Sequence, residues 1–512
     1  MLVKNEDASK DLYPSIEKVV GRLNSALYEC EIIETQPVFL DKFRSPFFLT
    51  IRRILNNASC CHFLWRDKRN GHVTLDGRLG VSLRLISQSH QVASYGTLEH
   101  GAQPMKAVVF HDIGDIRLED VPEPKLKEPT DAIVRLTATA ICGTDLHMIR
   151  GTLPGMKAGT VLGHEGVGIV EKIGSSVRNI KVGDRVVIPS TIACGYCVYC
   201  RDGYYSQCDN ANPNGPFEGT AFFGGPASSG PFNGLQAEKA RIPFANVGLV
   251  KLPEDISDNQ AILMSDIFPT GYMAADMAEI RPGRTVAVFG CGPVGQFVIA
   301  SLKLMDAGRI FAIDTIPSRL DMARAQGAEV IDFSAEDPVA ALKELTGGAG
   351  VDRAIDAVGV DATAPKKGPA AKQAKQQGEQ FKREVKEVAP KIKPSGGNWK
   401  PGDAPSMVLN WAVEVLAKGG KFSIVGVYAD ASKTFPVGAA MNKNLTIRMG
   451  NCDHRKYIPR LVKLVGSGAV DPAKILTQVS PLMTAIDAYK HFDQRQEGWI
   501  KVMLQPAAAV AA

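Results

Sequence analysis

The stretch VAVFGCGPVGQF, residues 286–297, decides the fold. A short apolar run of strand-forming residues leads directly into Gly290, Gly292 and Gly295, spaced G-x-G-x-x-G, and a helix-forming run, PVGQFVIASLKLMDA, follows from Pro293 and Val294. Glycines at those three places permit the turn, the close approach of a pyrophosphate and tight helix packing, and the helix N-terminus then faces the phosphates. Cys291, between the glycines, reads as a small filler residue. A lone G-x-G-x-x-G is a weak signal, so its surroundings matter.

Downstream, RIFAID ends the next strand at Asp314, nineteen residues after Gly295. A carboxylate there can bond both ribose hydroxyls and repels a 2′-phosphate, which points to NAD over NADP. Arg319 either flanks the adenine or decorates a helix. Strand-like AEVIDF and VDRAIDAVG alternate with helix-like PSRLDMARAQG and PVAALKELTGG, a rhythm of βαβ units on a parallel sheet. Residues 361–405 interrupt it. Between 366 and 400 there are ten Lys and Arg against three Glu. The reading is a surface excursion with one charged helix near 370–388 and a solvated face, because aromatic residues for base stacking are nearly absent. The pattern resumes at MVLNWAVEVLAKGGKFSIVGVY. A last helix, RKYIPRLVKLVGSG, leads to a short tail.

Upstream, between 105 and about 270, short strand-like runs (MKAVVF, DAIVRLTATAIC, GVGIVEKIG, GDRVVI) are broken by Gly, Pro and Asp and suggest a β-rich, barrel-like domain. The first 104 residues show no sustained period and no recognisable site, and read as an appended, poorly ordered extension. Within them, 43–57 has the pattern of a basic amphipathic helix, while the acidic start, MLVKNEDASKD, argues against a transit or secretion signal. A formal net charge of +5 over 512 residues does not suggest nucleic acid, and no apolar run reaches the length of a membrane span. The expectation is a cytoplasmic protein with neither membrane nor nucleic-acid partners.

Ten cysteines in so long a chain are no disulfide scaffold, yet four crowd into TIACGYCVYCRDGYYSQC, residues 191–208. Cys194, Cys197, Cys200 and Cys208 suit a tetrahedral zinc. An iron–sulfur run of the bacterial type closes with a shorter gap and a Cys-Pro, whereas Asp209 follows Cys208 here. Four sulfurs leave no open position, so this zinc is structural. A second constellation is CGTDLH, 142–147, with GHEGVG, 163–168. Cys142 and His164 supply a thiolate and an imidazole, and Asp266 in SDIFPTGY is the candidate third ligand. One thiolate plus one carboxylate neutralise Zn²⁺ and leave a vacant corner. Taken singly, Cys142 fits a small buried residue, His164 a satisfied turn residue and Asp266 a helix cap. Together, beside a tetracysteine cluster, they point to a metal centre.

CGTDLH, GHEGVG, CGYCVYC…C, GCGPVG and AID together resemble the zinc-dependent medium-chain alcohol dehydrogenases. SDIFPTGY and ACGYCVYCRDGYYSQC are similar to the glutathione-independent formaldehyde dehydrogenase branch. The resemblance covers about 105–505. It implies a GroES-like β-rich catalytic domain over 105–270, carrying the zinc lobe 191–209, and a Rossmann doubly wound parallel-sheet domain over 271–453, with the insertion 361–405. Residues 454–512 would return to the catalytic domain. The resemblance assigns a catalytic zinc to Cys142, His164 and Asp266, with Glu165 behind it, and a structural zinc to the four cysteines. Thr144 would accept the substrate proton and pass it through the cofactor ribose to His147. The implied activity is hydride transfer from an alcohol or a hydrated aldehyde, formaldehyde among them, to NAD in a homodimer or homotetramer. The alternatives are a polyol or amino-alcohol dehydrogenase of the same fold, or a non-catalytic nucleotide-binding relative.

Overall fold

A computed structural model describes residues 104–506 and two short strands, Val73–Thr74 and Ser82–Leu83. The chain divides into two units, Met1–Thr97 and Leu98–Ala512. In the first, the two short strands pair antiparallel. Apart from these two strands and Pro104, the stretch 1–104, expected to be poorly ordered with a basic helix at 43–57, lies outside the described residues.

The second unit contains both expected sheets. In the β-rich part the spine is Ala132–Ile141, AIVRLTATAI, whose β-branched residues suit a pleated surface buried on both faces. It pairs with Gly166–Ile173 on one side and with Val502–Gln505 on the other, and also with Lys239–Ile242. The sheet runs on through Arg185–Ile188 to Val250–Lys251 at one end and Gln478–Pro481 at the other. Pro104–Asp112 forms a smaller sheet with Asp115–Pro122 and Thr160–Val161.

The second sheet has six strands, in the order Glu329–Asp332, Ile310–Asp314, Val286–Phe289, Val351–Asp356, Leu416–Ile424 and Thr446–Met449. Every pair is parallel. Successive residues of the VAVF strand divide between two cores. Ala287 and Phe289 pack with Phe311, Met407 and Trp411, while Val286 and Val288 pack with Ile299, Leu302 and Leu320. Apolar side chains on both faces require cover on both faces, which the crossover helices supply. Burying Phe289 or Phe311 contributes about 2–3 kcal/mol each. Strand order reverses between Val286–Phe289 and Val351–Asp356, and at such a switch point a crevice opens at the carboxyl ends of the strands.

Two expectations are corrected. The insertion holds two helices, Ala370–Gln376 and Gly378–Val388, broken at Gln377–Gly378, where glycine weakens helix propagation. It is also no mere surface excursion. Phe381 joins the core beneath the parallel sheet, and Trp399 packs with Phe110 and Tyr489. The lysines occupy the outer face, so their number hid a helix with one apolar side. Likewise His454–Gly466 is not the last helix. Gln478–Pro481, the helix Ala485–Asp493 and Val502–Gln505 follow, and the final strand docks on Ala132–Ile141.

Candidate active site

Cys142 ends the strand Ala132–Ile141 and caps the helix Gly143–Arg150. Asp145, three residues on, accepts the Cys142 backbone N–H at 2.9 Å, which fixes where the thiol points. His164 lies in the short link before Gly166–Ile173. Gly163, just ahead of it, has φ +89, and a Cβ there would lie 2.4 Å from Gln236 Cγ. Asp266 stands at the N-cap of Ile267–Met277, yet its carboxylate makes no capping bond. It turns inward instead. Its Oδ2 lies 3.5 Å from Cys142 Sγ and 3.4 Å from His164 Nε2. One donor atom from each of Cys142, His164, Glu165 and Asp266 lies within 4.8 Å of the others, all four residues buried.

The chemistry of this donor set fits a divalent cation. A thiol and two carboxylates share one buried space, and Glu165 Oε2 has no hydrogen-bond partner. Burial, then the Asp266 charge, pushes the Cys142 thiol above its ordinary value. Burial also raises the Glu165 carboxyl, to about 7, with Lys501 opposing. A dication reverses both trends, because it stabilises the anionic forms.

Three residues of this centre went unassigned in the sequence. Asp145 Oδ1 lies 3.3 Å from His164 Nδ1, His454 Nε2 lies 2.7 Å from Asp266 Oδ1, and Lys501 pairs with Glu165. Such outer partners orient a ligand and set its basicity. Asp145 carried a local signal, since it sits in CGTDLH. His454 and Lys501 carried none, being 188 and 336 residues from their partners.

The four cysteines of the 191–208 stretch form a second cluster, their ligand atoms likewise within 4.8 Å. Cys194 and Cys200 sulfurs are 4.0 Å apart, and those of Cys197 and Cys208 3.9 Å. A disulfide needs about 2.05 Å. Zn–S bonds of ~2.3 Å in a tetrahedron space the sulfurs by about 3.8 Å. Backbone N–H groups of Cys194, Cys197 and Cys200 donate to sulfur, as does Asn210 Nδ2. Burial opposes ionisation of Cys197, but N–H donation from Cys200 and Asp209 outweighs it and brings the thiol down to about 7.

The crevice beside the Cys142–His164–Asp266 cluster is lined by Gly143, His147, Gly290, Gly292, Pro293, Asp314 and Arg319 among others. Gly290 has φ +89, and a Cβ on Gly295 would lie 1.9 Å from the Gly290 carbonyl oxygen, so helix and turn touch. At Gly292, by contrast, an added Cβ meets nothing nearer than 3.7 Å, which leaves room for a ligand. Val294 packs into the core behind the turn. Asp314 Oδ2 accepts the Cys291 N–H at 2.8 Å, and Oδ1 accepts those of Thr315 and Ile316. Arg319 Nη1 stands 3.8 Å from Asp314. Thr144 Oγ1 is 3.9 Å from Cys142 Sγ, and the buried His147 Nδ1 is 2.7 Å from Thr152 Oγ1.

Residues 128–254 match the alcohol dehydrogenase GroES-like domain, and residues 293–367 the zinc-binding dehydrogenase family. A zinc-type alcohol dehydrogenase-like protein of Bacillus subtilis is 38% identical over 406 residues, 78% of this chain and 100% of that one. The chain belongs to the zinc-type alcohol dehydrogenase family. The glutathione-independent formaldehyde dehydrogenase of Pseudomonas aeruginosa is 33% identical over 356 residues, covering 67% of this chain and 80% of its own. Among solved structures, the alcohol dehydrogenase TADH from Thermus sp. ATN1 superposes with a TM-score of 0.64 at 34% identity, over 78% of this chain and 99% of that one. Members of this family are oxidoreductases acting on small molecules. Among the described residues no helix is long and apolar enough to cross a membrane.

Proposed function

We propose that this family member oxidises a primary alcohol or a hydrated aldehyde, formaldehyde included, with NAD as acceptor. The observation that carries the reading is the meeting of Cys142, His164 and Asp266 one residue from Gly143, which lines the crevice at the glycine turn. Bound in these places, Zn²⁺ supplies a Lewis acid and NAD a hydride acceptor. Cys142, His164 and Asp266 hold the metal, with Glu165 behind it. Cys194, Cys197, Cys200 and Cys208 hold a second, structural ion. Thr144 would take the substrate hydroxyl proton, and His147, on the next turn of the same helix, would receive it. The formaldehyde reading draws on Asp266 standing in SDIFPTGY and on the Pseudomonas relative. Assay of the purified chain with NAD against formaldehyde, primary alcohols, sorbitol and threonine tests it. Turnover confined to sorbitol or threonine makes this a polyol or amino-alcohol enzyme, and no turnover with two zincs bound defeats the reading.

The preference for NAD rests on Asp314. Asp314→Gly is expected to lower the NAD/NADP ratio of kcat/KM by tenfold or more, because the carboxylate that repels a 2′-phosphate is gone. The ratio is the proper readout, since loss of the Asp314 backbone bonds loosens the glycine turn for both cofactors alike. An unchanged ratio would remove Asp314 from specificity.

A further inference from the structure

His147 lies in the wall of the crevice, 4% exposed, with a hydroxyl and a carboxylate facing its Nδ1. Its Nδ1 is 2.7 Å from Thr152 Oγ1 and 3.6 Å from Asp361 Oδ2. The Thr152 hydroxyl donates to the His147 carbonyl, so its oxygen is left to accept Nδ1–H, and the lone pair of the neutral ring falls on Nε2.

Asp361 comes from the other side of the crevice. It ends the turn Gly359–Asp361, just past the parallel strand Val351–Asp356. Gly402 N–H occupies its Oδ1 at 3.0 Å, which leaves Oδ2 for Arg150 and His147. Arg150 closes the helix that carries His147 and stands between two carboxylates, Asp361 and Asp493. All three charged residues are buried. Asp493 Oδ2 is held by Trp399 N–H and Asn398 Nδ2. Arg495 lies behind Asp361 and donates to its main-chain oxygen and to Thr363 Oγ1, not to its carboxylate. Arg150 is shared between two carboxylates and Arg495 adds a second positive charge behind Asp361, so the cluster is balanced, but the group nearest the imidazole is the Asp361 carboxylate, 3.6 Å from Nδ1.

We propose that Asp361 is a positioning residue for His147: from the nucleotide-binding side its carboxylate favours the tautomer protonated on Nδ1, the one Thr152 accepts, and balances the positive charge that arises when the substrate proton arrives at Nε2. This deepens the proton path described above and rests on it. The proton released from the substrate hydroxyl at Thr144 would end on His147, bonded to Nε2. No electrons move in this step. Burial, and secondarily Arg150, push the His147 imidazole below its ordinary value, and Asp361 acts against both. Removing the Asp361 charge therefore makes His147 a weaker base. A facing opposite charge at such range moves a titration by about 1–3 pH units, and sharing with Arg150 places this one near the lower end.

The test is the pH profile of kcat/KM in the full-length holoenzyme. His147→Gln first identifies the acid limb that belongs to the imidazole, as the limb this variant removes. In Asp361→Asn that limb is expected to move about one pH unit lower, roughly a tenfold change in the proton concentration at half activity, and to vanish when His147→Gln is added. Asp361→Glu keeps a charge partner for Arg150, so it carries the test should the Asn variant not fold; its limb is expected between wild type and Asn. A limb that His147→Gln removes but neither Asp361 variant moves overturns the proposal and leaves the proton path intact. A limb that His147→Gln leaves in place overturns the proton path, and this proposal with it.

Discussion

Asp266→Ala is expected to abolish turnover while NAD still binds. The substitution removes one of the three buried donors proposed for the catalytic ion and the only carboxylate of that cluster other than Glu165, which Lys501 already engages. A Lewis acid at a reacting oxygen is worth several kcal/mol, and each 1.36 kcal/mol is tenfold in rate. The expected loss in kcat/KM is therefore about three orders of magnitude or more. Zinc content should fall from two ions per chain to one, because the tetracysteine lobe is untouched. NAD affinity, followed by quenching of NADH fluorescence in competition, should stay within about threefold, since no crevice residue at the glycine turn touches Asp266. Retained activity at wild-type zinc content would refute the ligand role and with it the catalytic centre.

The second large effect is on stability. Cys200→Ser leaves the lobe with three sulfurs and one hydroxyl, a poor donor for zinc. Cys200 is 2% exposed and belongs to the core cluster of Ile188, Ile192 and Phe223, so a change there reaches the packing beneath the lobe. Zinc affinity at such a site is folding free energy. Loss of the ion should cost at least about 3 kcal/mol, or roughly 10 °C in thermal midpoint for a domain of this size. Trypsin should then cut after Arg201, which is exposed in the helix Val198–Arg201. Catalysis should weaken as well. Thr191, at the root of the lobe, contacts His454, and Ser206 N–H donates to Asp453, so the lobe helps to seat the residue behind Asp266. An unchanged midpoint with both zincs retained would show that Cys200 is no ligand.

Much of this was legible in the sequence because its physics is local. The four cysteines lie within fifteen residues, and the collision that requires Gly295 is with the Gly290 carbonyl oxygen of the same turn, while Gly290 itself has φ +89. Cys142 and its cap Asp145 are three residues apart. Asp266 is the exception: it lies 124 residues from Cys142, and it was its place in SDIFPTGY that marked it, while the fold brings it within 3.5 Å of the Cys142 sulfur. The insertion was misread for the converse reason. Its charges are many and exposed, whereas the residues that anchor it, Phe381 and Trp399, are few and find their cores far away in the chain.

The sequence alone determined the β-rich part and the parallel sheet, the crowding of the four cysteines and the glycine turn, since each depends on spacing within one or two elements. Only the tertiary structure decided what stands behind the site residues: His454 on Asp266, Lys501 on Glu165, and Arg150 between Asp361 and Asp493. These pairs join residues hundreds of positions apart, and a buried charge selects its partner by proximity in the folded chain, where water no longer competes for it.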